Sequence, residues 1–182
     1  MQIRIADCPP EGLHMQDRLD PGGLKDLAAL QESESCQFNG PLSVALTVTP
    51  TAGMFAVEGR IRGRVTLACS RCLAPAECLI KSSFKLTFSR RIPGDEPDAP
   101  SETRQLQSEE MGVALFEGDA IDFRDVIQEQ VIMAIPMGPL CREDCRGLCP
   151  RCGTDLNHEA CDCDRKEVDP RLAALKQLKF DV

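Results

Sequence analysis

The sequence has no tryptophan and no tyrosine, only two histidines, and seven phenylalanines in 182 residues. Without Trp or Tyr, base stacking on aromatic platforms loses its usual side chains, and only phenylalanine is left for it. His14 and His158 lie far apart, which leaves little material for a Ser/His or Cys/His catalytic pair. There is no H-E-x-x-H, no H-x-E followed by a cysteine pair, no glycine-rich phosphate loop and no G-x-S-x-G. A non-enzymatic protein without a small-molecule substrate is therefore expected. No apolar run approaches the roughly 20 residues that span a bilayer, so no membrane role is expected. The first residues, Met1-Gln2-Ile3-Arg4-Ile5, lack a basic segment followed by an apolar stretch, and a cytoplasmic location is expected.

Cysteine is what the chain has in excess, with 11 residues. An odd count in a cytoplasmic chain points to metal or redox chemistry rather than to a disulfide scaffold. Residues 141–163 read CREDCRGLCPRCGTDLNHEACDC, with six cysteines in an otherwise charged segment. Cys149 and Cys152, followed by Gly153, form a knuckle in which a tight turn aims two thiolates at one ion. Cys161 and Cys163 supply a second pair, and Cys141 and Cys145 a third. Six thiolates exceed one tetrahedral site and fall short of two. Cys69 and Cys72, earlier in the chain, have the same two-residue spacing and bring the total to eight.

One reading joins Cys149 and Cys152 to Cys161 and Cys163, and Cys69 and Cys72 to Cys141 and Cys145, giving two four-thiolate Zn2+ sites. Another gives one Zn2+ to four of the six late cysteines and leaves the rest free. A third makes Cys69 and Cys72 a redox dithiol. His158 is a lesser candidate to replace a thiolate. Cys8, Cys36 and Cys78 read as small buried residues, and His14 as a solvated loop residue.

The charge of −8 is uneven. Residues 53–91 carry 8 basic and 2 acidic side chains, and residues 92–130 carry 2 basic and 11 acidic ones. Local patches decide what a surface attracts. From Leu42 onward the apolar residues recur at period two. One strand face holds Leu42, Val44, Leu46 and Val48; the next runs from Phe55 through Val57, Gly59, Ile61, Gly63 and Val65 to Leu67; a third holds Cys78, Ile80, Ser82, Phe84, Leu86 and Phe88. Arg60, Arg62 and Arg64 project from the opposite side of the second strand, and Lys81 and Lys85 from that of the third, with Arg71, Arg90 and Arg91 flanking them. This stripe suits phosphates. It equally suits a solvated face, or an internal partner in the acidic segment. Gly59 and Gly63 mark bends or close packing.

Residues 93–110 read as an acidic loop. Asp122 opens a helix carrying Phe123, Val126, Ile127, Gln130, Val131 and Ala134, stopped by Pro136. Asp169-Pro170 opens a last helix with Leu172, Leu175 and Leu178. The expected fold is α+β, a largely antiparallel sheet with flanking helices and a cysteine-rich zinc module near the C-terminus. The expected division is an α+β domain over 1–136 and a metal module with the C-terminal helix over 137–182.

Several of these residues together resemble the YceD family: Cys69-Ser70-Arg71-Cys72-Leu73 after a G-x-V-x-L strand, the helix ending in VIMAIP at Pro136, the run from Cys145 to Gly153 with Leu156 and Asn157, and Asp169-Pro170-Arg171-Leu172. Members are known as large ribosomal RNA subunit accumulation proteins, in bacteria and plastids. The resemblance implies a ribosome-biogenesis factor acting in accumulation or processing of large-subunit ribosomal RNA, with that RNA or a ribosomal protein as partner. Some members lack the late cysteines while keeping a pair like Cys69 and Cys72, which favours two separable sites. Two other classes of function stay open: a protein-binding module that captures a basic ribosomal protein through its acidic segment, and a thiol redox or metal-delivery protein.

Overall fold

The computed structural model describes residues 1–90 and 113–163. The expected acidic loop at 93–110, Arg91 and the expected helix after Asp169 lie outside the described residues.

Three long strands dominate. Strand β4 (Leu42–Thr51), β5 (Met54–Ala68) and β6 (Pro75–Ser89) form the antiparallel meander that the period-two patterning predicts. The β4–β5 hairpin turns on Ala52 (φ 48°) and Gly53 (φ 83°), the two successive positive φ values of a type I′ turn. Strand β2 (Leu13–Leu19) pairs with β4 on one side. The short β3 (Gln37–Phe38) pairs with β5 beyond the end of β4. On the other side β7 (Val113–Leu115) runs parallel to β6. A separate ribbon joins β1 (Gln2–Arg4) to β8 (Ala120–Asp122).

Two helices accompany the sheet, α1 (Lys25–Glu32) and α2 (Arg124–Ala134). The α+β class holds in coarse form, but a largely antiparallel sheet with flanking helices overstates it. Sheet predominates, it curls, one edge pairing is parallel, and only two short helices occur among the described residues. Strand β2 alternates only in part: Leu13, Met15 and Leu19 pack against the core, Asp17 interrupts their face, and Gln16, Asp17 and Arg18 are exposed. His14 therefore sits in a strand rather than in a loop, and its Nδ1 lies 2.9 Å from Thr47 Oγ1.

The core gathers the inward face of β4 (Leu42, Val44, Leu46, Val48), Val57, Ile61 and Val65 of β5, and Ile80 of β6. Helix α2 closes it with Ile127 and Val131, and Phe123 meets Phe88 edge-on with ring centroids 5.5 Å apart. Gly59 and Gly63 mark close packing: a Cβ on Gly59 would lie 2.1 Å from the Phe84 ring, and one on Gly63 would lie 2.5 Å from Leu42 Cδ2. The N-cap of α2 is Phe123 rather than Asp122 and makes no side-chain cap; Asp122, one residue earlier, accepts from the Arg124 amide through Oδ1 at 3.0 Å. Gln128, outside the apolar stripe read from the sequence, is buried. It accepts from the Asp26 amide at 3.3 Å and so fastens α2 to the first turn of α1. No helix among the described residues is long and apolar enough to cross a membrane.

Candidate metal centres and the basic sheet face

Where β5 gives way to β6, Ala68 still pairs with Pro75, so residues 69–74 form a tight turn. The Leu73 amide donates to the Cys69 carbonyl (2.9 Å) and the Cys69 amide to the Ala74 carbonyl (2.8 Å). The same two bonds recur at 149–154: Gly153 N–H to the Cys149 carbonyl at 2.9 Å, and Cys149 N–H to the Thr154 carbonyl at 2.8 Å. The residue after the second cysteine takes positive φ in both turns, Gly153 at 74° and Leu73 at 62°. Glycine adopts that conformation freely, whereas leucine does so under strain.

The knuckles gather eight cysteines into two groups of four, Cys69, Cys72, Cys141 and Cys145 in one, Cys149, Cys152, Cys161 and Cys163 in the other. Within each group all sulfurs lie within 4.8 Å of one another. Cys69 and Cys145 are 3.8 Å apart, and Cys72 and Cys141 3.5 Å. Tetrahedral Zn–S bonds of about 2.3 Å place sulfurs roughly 3.8 Å apart, whereas a disulfide needs about 2.05 Å. All 11 cysteines are free. The donor set thus fits a thiophilic ion.

Electrostatics within the groups point the same way. Backbone amides of Cys72, then Arg71 and Cys141, bring the Cys69 thiol down to about 6. The Thr154 hydroxyl, then its amide, bring Cys152 down to about 6. Cys141 is pushed up to about 12, first by its bond to Cys72 and then by desolvation. Cys163 is likewise pushed up to about 12, first by Cys152. Backbone amides of Cys152 and then Arg151 also bring Cys149 down, and the upward shifts of Cys141 and Cys163 reflect crowding among sulfurs that a bound cation relieves.

A short strap joins the groups, since Cys145 belongs to the first and Cys149 to the second. Arg71 holds the strap twice: its Nη1 donates to the Cys145 carbonyl (2.8 Å), and its own carbonyl accepts from the Leu148 amide (3.0 Å). Gly147 (φ 74°) permits this approach, because a Cβ there would meet the Arg71 carbonyl at 2.9 Å. Asn157 donates to Cys145 Sγ (3.4 Å) and accepts from the Arg146 amide (2.8 Å). Arg71 is thus committed to the strap rather than to the basic stripe. His158 lies exposed outside both groups. Of the remaining cysteines, Cys36 is buried, and Cys8 and Cys78 are half-buried against the core.

The basic side chains lie on the sheet face turned away from the core. Cross-strand register puts Arg60 beside Ser83 and Arg62 beside Lys81. Lys85 pairs with Glu58 at 2.6 Å, and Arg64 with Glu77 at 3.8 Å. Arg90 is turned to Asp119 of the acidic segment (2.9 Å) and lies 5.9 Å from the centre of the Phe116 ring. An internal acidic partner therefore exists for Arg90. Among the described residues Arg62 and Lys81 have no such partner, and Arg60 forms no ion pair but feels the charge of Glu58 on its own strand face.

A family model described as large ribosomal RNA subunit accumulation protein YceD matches residues 57–179, a span that holds both knuckles and all eight grouped cysteines. The chain belongs to the YceD family. Among its YceD-family relatives is a chloroplastic protein of Zea mays named as a large ribosomal RNA subunit accumulation protein YCED homolog. It is 27% identical over 157 residues, covering 75% of this chain and 53% of the relative. An uncharacterized protein of Mycobacterium tuberculosis is 29% identical over 160 residues, 88% of this chain and 64% of its own length. YlbN of Bacillus subtilis is 30% identical over 123 residues, 65% and 62% of the two chains. The chain thus spans about half to two thirds of these relatives. No solved structure matches it.

Arg71, Gly147 and Asn157 are the contributors that spacing arguments miss. Arg71 left one trace, since Arg151 stands at the same knuckle position in the second Cys-x-Arg-Cys.

Proposed function

We propose that this YceD-family protein is a non-enzymatic, cytoplasmic factor that supports accumulation of large-subunit ribosomal RNA, holding two structural Zn2+ ions and meeting RNA phosphates with its basic sheet face. The observation that carries the reading is that face, whose Arg62 and Lys81 have no acidic partner and whose Arg60 forms no ion pair among the described residues, in a family named for that RNA. Zinc fits both sulfur groups, and four thiolates complete its tetrahedral preference without leaving a position for substrate. Bound there, Zn2+ supplies a cross-link between the β5–β6 turn and the 141–163 strap. Arg71 and Asn157 orient the strap by their bonds to Cys145.

The test is charge reversal at Arg60, Arg62 and Arg64 in the full chain, with affinity for large-subunit ribosomal RNA measured over a salt series. Affinity and salt slope should both fall. Unchanged values would refute the phosphate role. Recovery of a basic ribosomal protein without RNA would favour capture by the acidic segment instead.

A further inference from the structure

The strand register reveals an arrangement that the sequence does not display. Arg18 of β2 pairs with Ser43 of β4, Ser43 with Arg62 of β5, and Arg62 with Lys81 of β6. These four form one row straight across the sheet. The neighbouring row is Gln16, Ala45, Arg60 and Ser83. Strands lie about 4.8 Å apart, so each row extends roughly 14 Å, and adjacent rows are about 7 Å apart along the strands. Arg18, Arg62 and Lys81 make no ion pair among the described residues, Arg60 only feels the charge of Glu58 two residues away, and Lys85 and Arg64 are ion-paired. Hydroxyl and amide groups of Ser43, Ser83 and Gln16 stand between the cations, and two shallow depressions of about 650 and 410 Å3 open on this face.

Two features identify what the face fits. Arg62 and Lys81 are directly opposed like charges, an arrangement that destabilises a sheet unless something anionic lies over both. The six described phenylalanines, Phe38, Phe55, Phe84, Phe88, Phe116 and Phe123, all belong to the core or pack against it. Phe84 alone also lines the larger depression, so the face has cations and hydrogen-bond donors but no row of rings for the stacking that single-strand binding relies on. A duplex presents about one phosphate per 1.7 Å of axis, twice the density of one strand, and offers two backbones to a two-dimensional array of cations.

We propose that this face binds double-helical RNA through its phosphates, anchored by Arg18, Arg60, Arg62 and Lys81, with Lys85 and Arg64 secondary. This rests on the RNA-binding reading above and adds to it the form of RNA and the role of Arg18.

The experiment measures binding of the full chain to a 20-base-pair RNA duplex and to an unstructured single strand of equal length, each over a salt series. The duplex should bind at least tenfold more tightly. Four phosphate contacts give a log–log salt slope of about −3.6, at roughly 0.9 per contact. Arg18→Ala should reduce that slope by about 0.9 and lower affinity several-fold, more than Lys85→Ala does. Arg124→Ala, a loss of positive charge outside the face, should change neither. Arg62→Glu should weaken duplex binding at least tenfold while raising the thermal midpoint, because it places Glu opposite Lys81; a rise in midpoint separates lost binding from lost folding. If RNA binds but the single strand is preferred, or if Arg18→Ala is silent, the duplex assignment is overturned and the broader RNA reading stands. If neither RNA binds, both fall.

Discussion

The two thiolate groups should differ in what they contribute to stability, because they close loops of very different length. Cys72 and Cys141 are 69 residues apart in sequence and 3.5 Å apart in space. The second group is spanned by Cys152 and Cys161, only nine residues apart. In the chain-entropy treatment of a cross-link, the first loop corresponds to about 4.4 kcal/mol and the second to about 2.6 kcal/mol. At roughly 2–4 °C per kcal/mol for a chain of this size, the difference of about 1.8 kcal/mol separates the thermal midpoints by roughly 4–7 °C. The perturbations are Cys72→Ser/Cys141→Ser and Cys152→Ser/Cys161→Ser, each in the zinc-loaded full chain. Metal content should fall from two ions to one in both, with the lower midpoint in the first. Equal midpoints, or a lower one for Cys152→Ser/Cys161→Ser, would refute the loop argument. Two ions retained in the first variant would refute the grouping itself.

Leu73→Gly should stabilise the metal-loaded protein by about 1 kcal/mol in denaturant titration, since Leu73 holds positive φ while largely exposed and gives up little packing; a loss of stability would show that the leucine side chain matters. Gly59→Ala should cost about 1–3 kcal/mol, because the new methyl enters the Phe84 ring; a neutral result would mean that the ring moves aside freely. Zinc uptake at pH 7 should release fewer than eight protons for two ions, because Cys69 and Cys152, at about 6, are largely ionised beforehand. Affinity should fall as pH falls, because Cys141 and Cys163, at about 12, must lose their protons to bind; pH-independent binding in an indicator titration would contradict thiolate ligation.

What the sequence disclosed follows the range of the interactions involved. The meander was legible because each strand has one dry and one wet face, so a local period of two records a global fact. The knuckles were legible because two cysteines and a tight turn fit within five residues. Cysteine count and spacing left two pairings almost level, since spacing does not say which distant pairs meet; the chain path from the β5–β6 turn to Cys141 decides that. Strand β2 was passed over because Asp17 breaks the alternation of Leu13, Met15 and Leu19 at this sheet edge, and Arg18 went with it. Gln128 was passed over because a buried amide looks polar until its partner, the Asp26 amide 102 residues away, is known.

The same long-range pairing links the thiolate group to the basic face. Arg60, Arg62 and Lys81 lie on β5 and β6, the two strands whose far end is the turn holding Cys69 and Cys72. Beyond Arg62 β4 no longer pairs with β5 and only the short β3 lies beside it, so this end of the hairpin twists more freely unless it is fixed. Near the sheet, Val57 and Ile61 fix β5 to the core. At the turn, the Arg71 and Ser70 bonds to Cys145 and Pro139, together with the thiolate cross-link, fix the other end. Spacing between Arg62 and Lys81 then depends on both anchors. Under the proposed RNA role, metal at Cys69, Cys72, Cys141 and Cys145 would act by holding the sheet's twist without touching RNA, so that zinc loss from this group should weaken binding while zinc loss from the second group leaves it nearly intact.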